Sequence, residues 1–97
     1  MLPKKERLTS SEVREVLKGG TSLREGSISA KVLPAARGKA SVVVSSKVAP
    51  TAVLRNRLRR MGYQALPHPL PHYRMIFFVQ RRDFDPAAFS QLCSKLS

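Results

Sequence analysis

Acidic residues are scarce in this sequence and unevenly placed. Six aspartates and glutamates stand against 18 lysines and arginines, which gives a formal net charge of +12, and no acid lies between Glu25 and Asp83. Catalysis by side chains needs an acid, a base or a nucleophile in a suitable setting. The acids form no convincing pair, because Glu12 and Glu15 share a predicted helix with basic neighbours and favour a solvated ion-pair surface. The sequence therefore predicts no active site within the protein itself.

Cysteine and histidine are also rare. Cys93 is the single cysteine, so no internal disulfide can form, and a reducing, cytoplasmic location is expected. His68 and His72 are the two histidines, and one distant cysteine cannot complete a zinc site with them. The Gly-Gly pair at 19–20 lacks the preceding strand and the following Lys-Ser or Lys-Thr of a phosphate-binding loop. We therefore expect no metal site and no cofactor bound by the protein alone.

Long apolar runs are missing too. The longest is Met75–Val79, far short of the roughly 18 residues that a membrane-spanning helix needs. The first eight residues carry charges with no apolar stretch after them, so no secretory signal is expected. Since 42% of the residues are hydrophobic, the positive charge belongs to a folded body and not to a disordered tail. One domain over residues 1–97 and no membrane partner are predicted.

Hydrophobic periodicity predicts an α+β fold with six elements in the order α-β-β-α-β-α. The helices are expected at about residues 11–18, 50–66 and from 86 onward, and the strands at 28–33, 40–45 and 75–79. The first two strands can pair as a hairpin. Three consecutive valines at 42–44 favour a central strand covered on both faces, and the run at 75–79 is predicted to be the innermost strand.

The densest basic segment is T-A-V-L-R-N-R-L-R-R-M-G-Y at residues 51–63. On a helix its apolar residues form one stripe, and its arginines and asparagine occupy the remaining arc. The stripe consists of Leu54, Leu58, Met61 and Ala65, and the arc carries Arg55, Asn56, Arg57, Arg59 and Arg60. Arginines this close repel one another, which destabilises an isolated helix. Because a guanidinium can bond two phosphate oxygens at once, the segment indicates a nucleic-acid backbone as the partner.

RNA is favoured over DNA, although a basic helix can also enter a DNA major groove. No helix-turn-helix or zinc-finger pattern is present, and most aromatic residues fall at core-like positions. Recognition of RNA shape and backbone is therefore expected. A structural RNA-binding module, similar to a small ribosomal protein and without a role in processing, explains the charge equally well. A basic but merely solvated helix surface is the least specific alternative.

The basic segment resembles the signature helix of the protein subunit of bacterial ribonuclease P, approximately K-x-x-x-x-A-V-x-R-N-R-x-K-R. The matching residues in this sequence are Lys47, Ala52, Val53, Arg55, Asn56, Arg57, Arg59 and Arg60. The likeness extends over nearly the whole chain. It includes R-L at 7–8, K-x-G-T-S at 18–22, the valine strand before residue 45 and the apolar strand at 76–79.

This resemblance implies a compact α/β sandwich with a left-handed crossover around the arginine helix, against the usual right-handed rule. It also implies a non-catalytic subunit that joins the catalytic RNA of the endoribonuclease and the precursor tRNA. Such a subunit promotes removal of the 5′ leader, which gives the mature tRNA 5′ end. Mg²⁺ bound by the RNA performs the hydrolysis, and no obligate protein partner is expected.

By position, the resemblance assigns RNA contacts to Lys47, Arg55, Asn56, Arg57, Arg59 and Arg60. It further implies that the leader lies in a cleft between the first helix and the sheet. The residues expected to line that cleft are Val13, Leu17, Lys31, Val42 and Val44. The aromatic residues that the family usually carries on the first helix appear here as Val13 and Leu17.

Overall fold

The computed structural model describes residues 6–67 and 70–96. Over these ranges the elements are α1 (Ser10–Gly19), β1 (Thr21–Glu25), β2 (Ile28–Pro34), β3 (Lys39–Val44), α2 (Ala52–Ala65), β4 (Tyr73–Val79) and α3 (Ala87–Ser94). The predicted α+β class is confirmed, and all six predicted elements are present. The strand β1 was not predicted, so the order is α-β-β-β-α-β-α.

Helix α1 begins with a capping box. The hydroxyl of Thr9 accepts a hydrogen bond from the backbone N–H of Glu12, and the Glu12 carboxylate accepts one from the backbone N–H of Thr9. This arrangement satisfies two of the N–H groups that a helix start leaves without partners. The helix ends at Gly19, and the backbone N–H of Gly20, the next residue, donates to the carbonyl of Val16.

The four strands form one mixed sheet in the order β1-β2-β4-β3. Strands β1 and β2 are antiparallel, as are β2 and β4, whereas β3 and β4 are parallel. The expected hairpin between the strands at 28–33 and 40–45 is wrong, because β4 lies between them. The prediction that β4 is an inner strand is confirmed. Strand β3 lies at the sheet edge, where Val43 is 40% exposed, so its valine run does not mark a strand covered on both faces.

Because β3 and β4 are parallel neighbours, the chain must cross from one end of the sheet to the other between them, and α2 makes this crossover. Its handedness stays a prediction from the resemblance. Thr51 caps the helix start by accepting a hydrogen bond from the backbone N–H of Leu54. None of the helices in the described ranges is long and apolar enough to cross a bilayer.

The main core lies between the sheet and the helices α2 and α3. At its centre the rings of Phe77 on β4 and Phe89 on α3 have centroids 5.1 Å apart. The predicted apolar stripe of α2 packs against this core, with Leu58 buried and the other members partly buried. Gly62 brings α2 close to its neighbours, since a Cβ atom there would lie 3.0 Å from side-chain atoms of both Phe89 and Val42.

Helix α1 packs on the opposite face of the sheet. Successive strand residues point to opposite faces, so Met75, Phe77 and Val79 enter the main core while Ile76 faces α1. Val16 of α1 and Ile76 are fully buried outside the main core cluster. Helices therefore cover parts of both faces of the sheet, which is the sandwich that the resemblance implied.

Candidate nucleic-acid interface

Burial of Leu58 on the core side turns the polar arc of α2 outward. Asn56, Arg57, Arg59 and Arg60 are all exposed, and we call these four residues the α2 arginine surface. One internal contact orders it, because the guanidinium of Arg59 donates a hydrogen bond to Oδ1 of Asn56. The amide NH2 of Asn56 and most donors of the three arginines are left for an external ligand.

Arg55 differs from the other arginines of α2. It is half-buried, and its Nη1 donates to the carbonyl oxygens of Ala49 at 3.0 Å and Pro50 at 3.2 Å. The side chain thus ties the helix to the loop that precedes it. Lys47 lies exposed in this same loop, next to the start of α2. The predicted RNA-contacting residues therefore divide into one structural clamp and five exposed groups.

Four of the six acidic residues form ion pairs away from α2. Glu12 pairs with Lys39 and Arg74, Glu15 with Arg74, Asp83 with Arg81, and Glu25 with Lys95. Among residues 6–67 and 70–96, no ion pair includes Lys47 or an arginine of α2. The positive charge of this helix is therefore left to act on molecules outside the protein, as a polyanion partner requires.

A groove runs between the α2 arginine surface and the exposed edge of β3. It has a volume of about 610 Å³ and is lined by Arg7, Ser41, Val42, Asn56, Arg59, Arg60, Tyr63 and Gln64. We call it the β3–α2 groove. Arg7 reaches the groove because its backbone forms a parallel bridge with Ala40 at the β3 edge. The hydroxyl of Tyr63 accepts a hydrogen bond of 3.2 Å from the backbone N–H of Val42.

Sequence reasoning missed Arg7, Tyr63 and Gln64 as members of this interface. Gln64 shares a helix face with Arg57 and Arg60, and this spacing was visible in the sequence. The contact of Tyr63 with β3 depends on the edge position of that strand. The approach of Arg7 to α2 depends on the same position, which no local pattern encodes.

Three of the expected leader-cleft residues lie on the α1 side of the sheet. Val13 is partly buried, and Leu17 is 43% exposed. Lys31 donates from its Nζ to the carbonyl of Leu17 at 3.1 Å, close to the end of α1. A cation is favourable at this position, because the last carbonyls of a helix carry partial negative charge. Lys31 therefore bridges α1 and β2 and keeps further donors for a ligand.

The placement of Val42 and Val44 in this cleft is wrong. Both side chains are buried in the main core, on the sheet face that α2 covers. The side chains of β3 on the α1 side are Lys39, Ser41 and Val43, because strand residues alternate between faces. Val43 pairs with the half-buried Phe78 of β4, which brings an aromatic ring to this face. The alternation at 75–79 could have identified Phe78, since two adjacent phenylalanines on a strand must point in opposite directions.

Titratable groups outside the basic surfaces form no cluster suited to a metal ion within the described residues, which exclude His68. The capping hydrogen bond from Thr9 and the ammonium of Lys39 lower the pKa of Glu12 to about 2. Burial raises the pKa of the Cys93 thiol to about 11, which keeps it protonated at neutral pH. Cys93 thus acts as a small buried hydrophobe.

Solved structures with the same fold are ribonuclease P proteins. The protein from Thermotoga maritima aligns with a TM-score of 0.76 at 16% identity, over 95% of this chain and 98% of that one. The Staphylococcus aureus protein gives 0.71 at 15% identity, over 94% and 91%. A mutant of the S. aureus protein, described as defective in mRNA degradation activity, gives 0.73 at 16%, over 96% and 86%.

At these identities the structural likeness establishes the fold alone, and no curated protein matches the sequence. The family itself is established by the sequence, because the family model described as Ribonuclease P matches residues 2–97. That match spans all the elements described above, including α2 with its arginine surface and α1 on the opposite face. The chain belongs to the ribonuclease P protein family, the protein subunit of an endoribonuclease of tRNA processing.

Proposed function

We propose that this chain binds the catalytic RNA of ribonuclease P through α2 and the precursor tRNA leader through the α1 side of the sheet. By holding both RNAs it promotes the endonucleolytic removal of the 5′ leader. The protein contributes no catalytic residue. Hydrolysis belongs to the RNA subunit and to the Mg²⁺ that this RNA holds.

The observation that carries this proposal is the unpaired α2 arginine surface in a member of this family. Its three arginines have no acidic partner among the described residues, while the acids of α1 and β1 and Asp83 of the β4–α3 loop are paired with other basic residues. Each phosphate that an arginine neutralises releases condensed counterions, which makes binding strong at low salt and weaker as salt rises. Lys47 extends the same surface toward the loop before α2.

The leader is assigned to the α1 side because that face combines exposed apolar side chains with a lysine. Leu17 and Val43 are exposed there, and Phe78 offers a partly accessible ring beside Val43. Unpaired bases stack on aromatic and apolar surfaces, and the ammonium of Lys31 can approach the leader backbone. Phe78 thus replaces in part the aromatic residues that α1 lacks.

Reconstitution with the cognate catalytic RNA tests the proposal. The purified protein, the RNA and a 5′-labelled precursor tRNA are combined at low Mg²⁺, and the RNA without the protein is the control. We expect faster cleavage at the mature 5′ end and tight binding of the protein to the RNA. Replacing Arg59 with glutamine should weaken binding and reduce the salt slope by about one ion.

Unchanged cleavage together with absent binding would overturn the proposal. Sequencing of the RNA that copurifies with the protein distinguishes the proposed function from that of a structural RNA-binding module. Recovery of ribosomal RNA without ribonuclease P RNA would identify a structural RNA-binding module that has no processing role. Recovery of the ribonuclease P RNA supports the assignment made here.

A further inference from the structure

The β3–α2 groove offers more than positive charge. Gln64 is exposed, and its amide has no hydrogen-bond partner among the described residues. Asn56 accepts from Arg59 through Oδ1 and keeps its NH2 group as a donor. These groups line one concavity with the guanidinium groups of Arg59 and Arg60.

This combination fits a nucleotide better than a phosphate alone. The bridging and terminal oxygens of a phosphodiester only accept hydrogen bonds, so arginines suffice to bind them. An amide presents a donor and an acceptor side by side, which matches the edge of a nucleobase. The groove volume of about 610 Å³ also lies in the range of small-molecule sites, whereas a flat basic surface has no such concavity.

We propose that the β3–α2 groove holds one unpaired nucleotide of the catalytic RNA. Arg59 and Arg60 bind its phosphate, and the amides of Gln64 and Asn56 bind the edge of its base. The nucleotide is unpaired because an A-form helix hides the major-groove edges of its bases in a deep, narrow groove, whereas a base splayed out of a loop or bulge presents its edges freely. This inference rests on the proposed function, and it assigns the RNA subunit because the groove is lined by the α2 arginine surface itself.

Affinity and salt dependence together test the groove. Gln64→Ala removes an uncharged hydrogen-bonding group, so we expect the Kd for the catalytic RNA to rise about fivefold with an unchanged salt slope. Gln91→Ala is the matched control, since Gln91 is an exposed glutamine on α3 outside the groove. Equal affinities of the Gln64 and Gln91 variants would overturn the inference.

Crosslinking locates the bound nucleotide. A Gln64→Cys variant can carry a thiol-attached photoreactive probe, because the buried native Cys93 should not compete for the reagent. We expect crosslinks confined to one or two neighbouring unpaired nucleotides of the catalytic RNA. Crosslinks to base-paired segments, or to the precursor tRNA in place of the catalytic RNA, would overturn the assignment.

The two proposals fail in different ways. If Arg59→Gln leaves the affinity for the catalytic RNA unchanged, the proposed function fails and the groove assignment falls with it. If Arg59→Gln lowers both affinity and salt slope while Gln64→Ala matches Gln91→Ala, only the nucleotide in the groove is excluded. Both variants change exposed residues, and the far-UV circular dichroism of each should match that of the unmodified protein.

Discussion

The carboxylate of Glu12 on α1 lies 2.9 Å from the Nζ of Lys39 on β3. A second cation, the guanidinium of Arg74, lies 3.5 Å from the same carboxylate oxygen. The carboxylate also accepts the capping hydrogen bond from the backbone N–H of Thr9, so it contributes both to the start of α1 and to the position of that helix on the sheet. Glu12 therefore joins the ion pair of Glu15 with Arg74 and the Lys31–Leu17 hydrogen bond in fixing the orientation of α1 across the proposed leader surface.

Protonation of Glu12 at low pH should weaken the contacts that hold α1 on the sheet. The pKa of Glu12 is about 2 in the folded protein against 4.5 for an unperturbed glutamate. A folded-state pKa below the unfolded value means that its stabilisation is complete above about pH 4.5 and is lost as the pH falls toward 2. Urea denaturation followed by circular dichroism between pH 7 and pH 2 measures the loss.

In that experiment Glu12→Gln should be less stable at pH 7 and should lose less stability on acidification. Glu15→Gln is the comparison, because its side chain is 58% exposed and pairs with Arg74 alone. The free energy of unfolding of Glu15→Gln should change with pH much as that of the unmodified protein does. If Glu12→Gln and the unmodified protein lose equal stability between pH 4.5 and 2, the ionised Glu12 carboxylate does not stabilise the folded protein.

Substitutions at Arg55 and Arg57 should have different effects, on stability at Arg55 and on RNA binding at Arg57. Arg55→Gln removes donors to the carbonyls of Ala49 and Pro50, which should lower the free energy of unfolding by about 1 to 2 kcal/mol. Arg57→Gln changes an exposed side chain and should alter stability by less than about 0.5 kcal/mol while weakening RNA binding. Denaturant unfolding and RNA titration of both variants measure the contrast. Equal stabilities would argue against the clamp.

Gly62 should resist replacement by alanine. Alanine favours a helix interior by about 1 kcal/mol, but here its Cβ would lie 3.0 Å from Phe89 and Val42, and overpacking costs about 1 to 3 kcal/mol. A net loss of roughly 1 kcal/mol in unfolding free energy is expected. Gly19→Ala at the end of α1 is the control, since nothing lies within 4 Å of its Cβ position. If Gly62→Ala raised the free energy of unfolding as much as Gly19→Ala, the close packing at Gly62 would be contradicted.

Cys93 should be unreactive in the folded protein. The thiol is buried and its pKa is raised to about 11, so the reactive thiolate is scarce at pH 8. Iodoacetamide should alkylate it slowly under native conditions and rapidly in denaturant, as mass spectrometry can follow. Native labelling at the rate of an exposed thiol would show that the α3 core opens readily.

Local patterns were enough to predict most elements and the composition of the α2 surface. They failed at β1, because T-S-L-R-E has one apolar residue and forms an edge strand with little burial. They also failed at the valine run of β3, since strand order is set by the long crossover that places β4 between β2 and β3. The assignment of Val42 and Val44 to the wrong face came from the resemblance, because the alternation within β3 alone does not say which of its faces α1 covers.

The contacts at the β3 edge have a consequence for how the protein behaves in concentrated solution. An exposed edge strand offers free N–H and C=O groups to which another chain can add a strand, a common start of aggregation. On β3 the N–H of Val42 is taken by the Tyr63 hydroxyl, and the backbone of Arg7 bridges Ala40. The arginines of the neighbouring helix repel a second copy as well. Residues that line the proposed nucleotide site therefore also discourage edge-to-edge self-association before any RNA is bound.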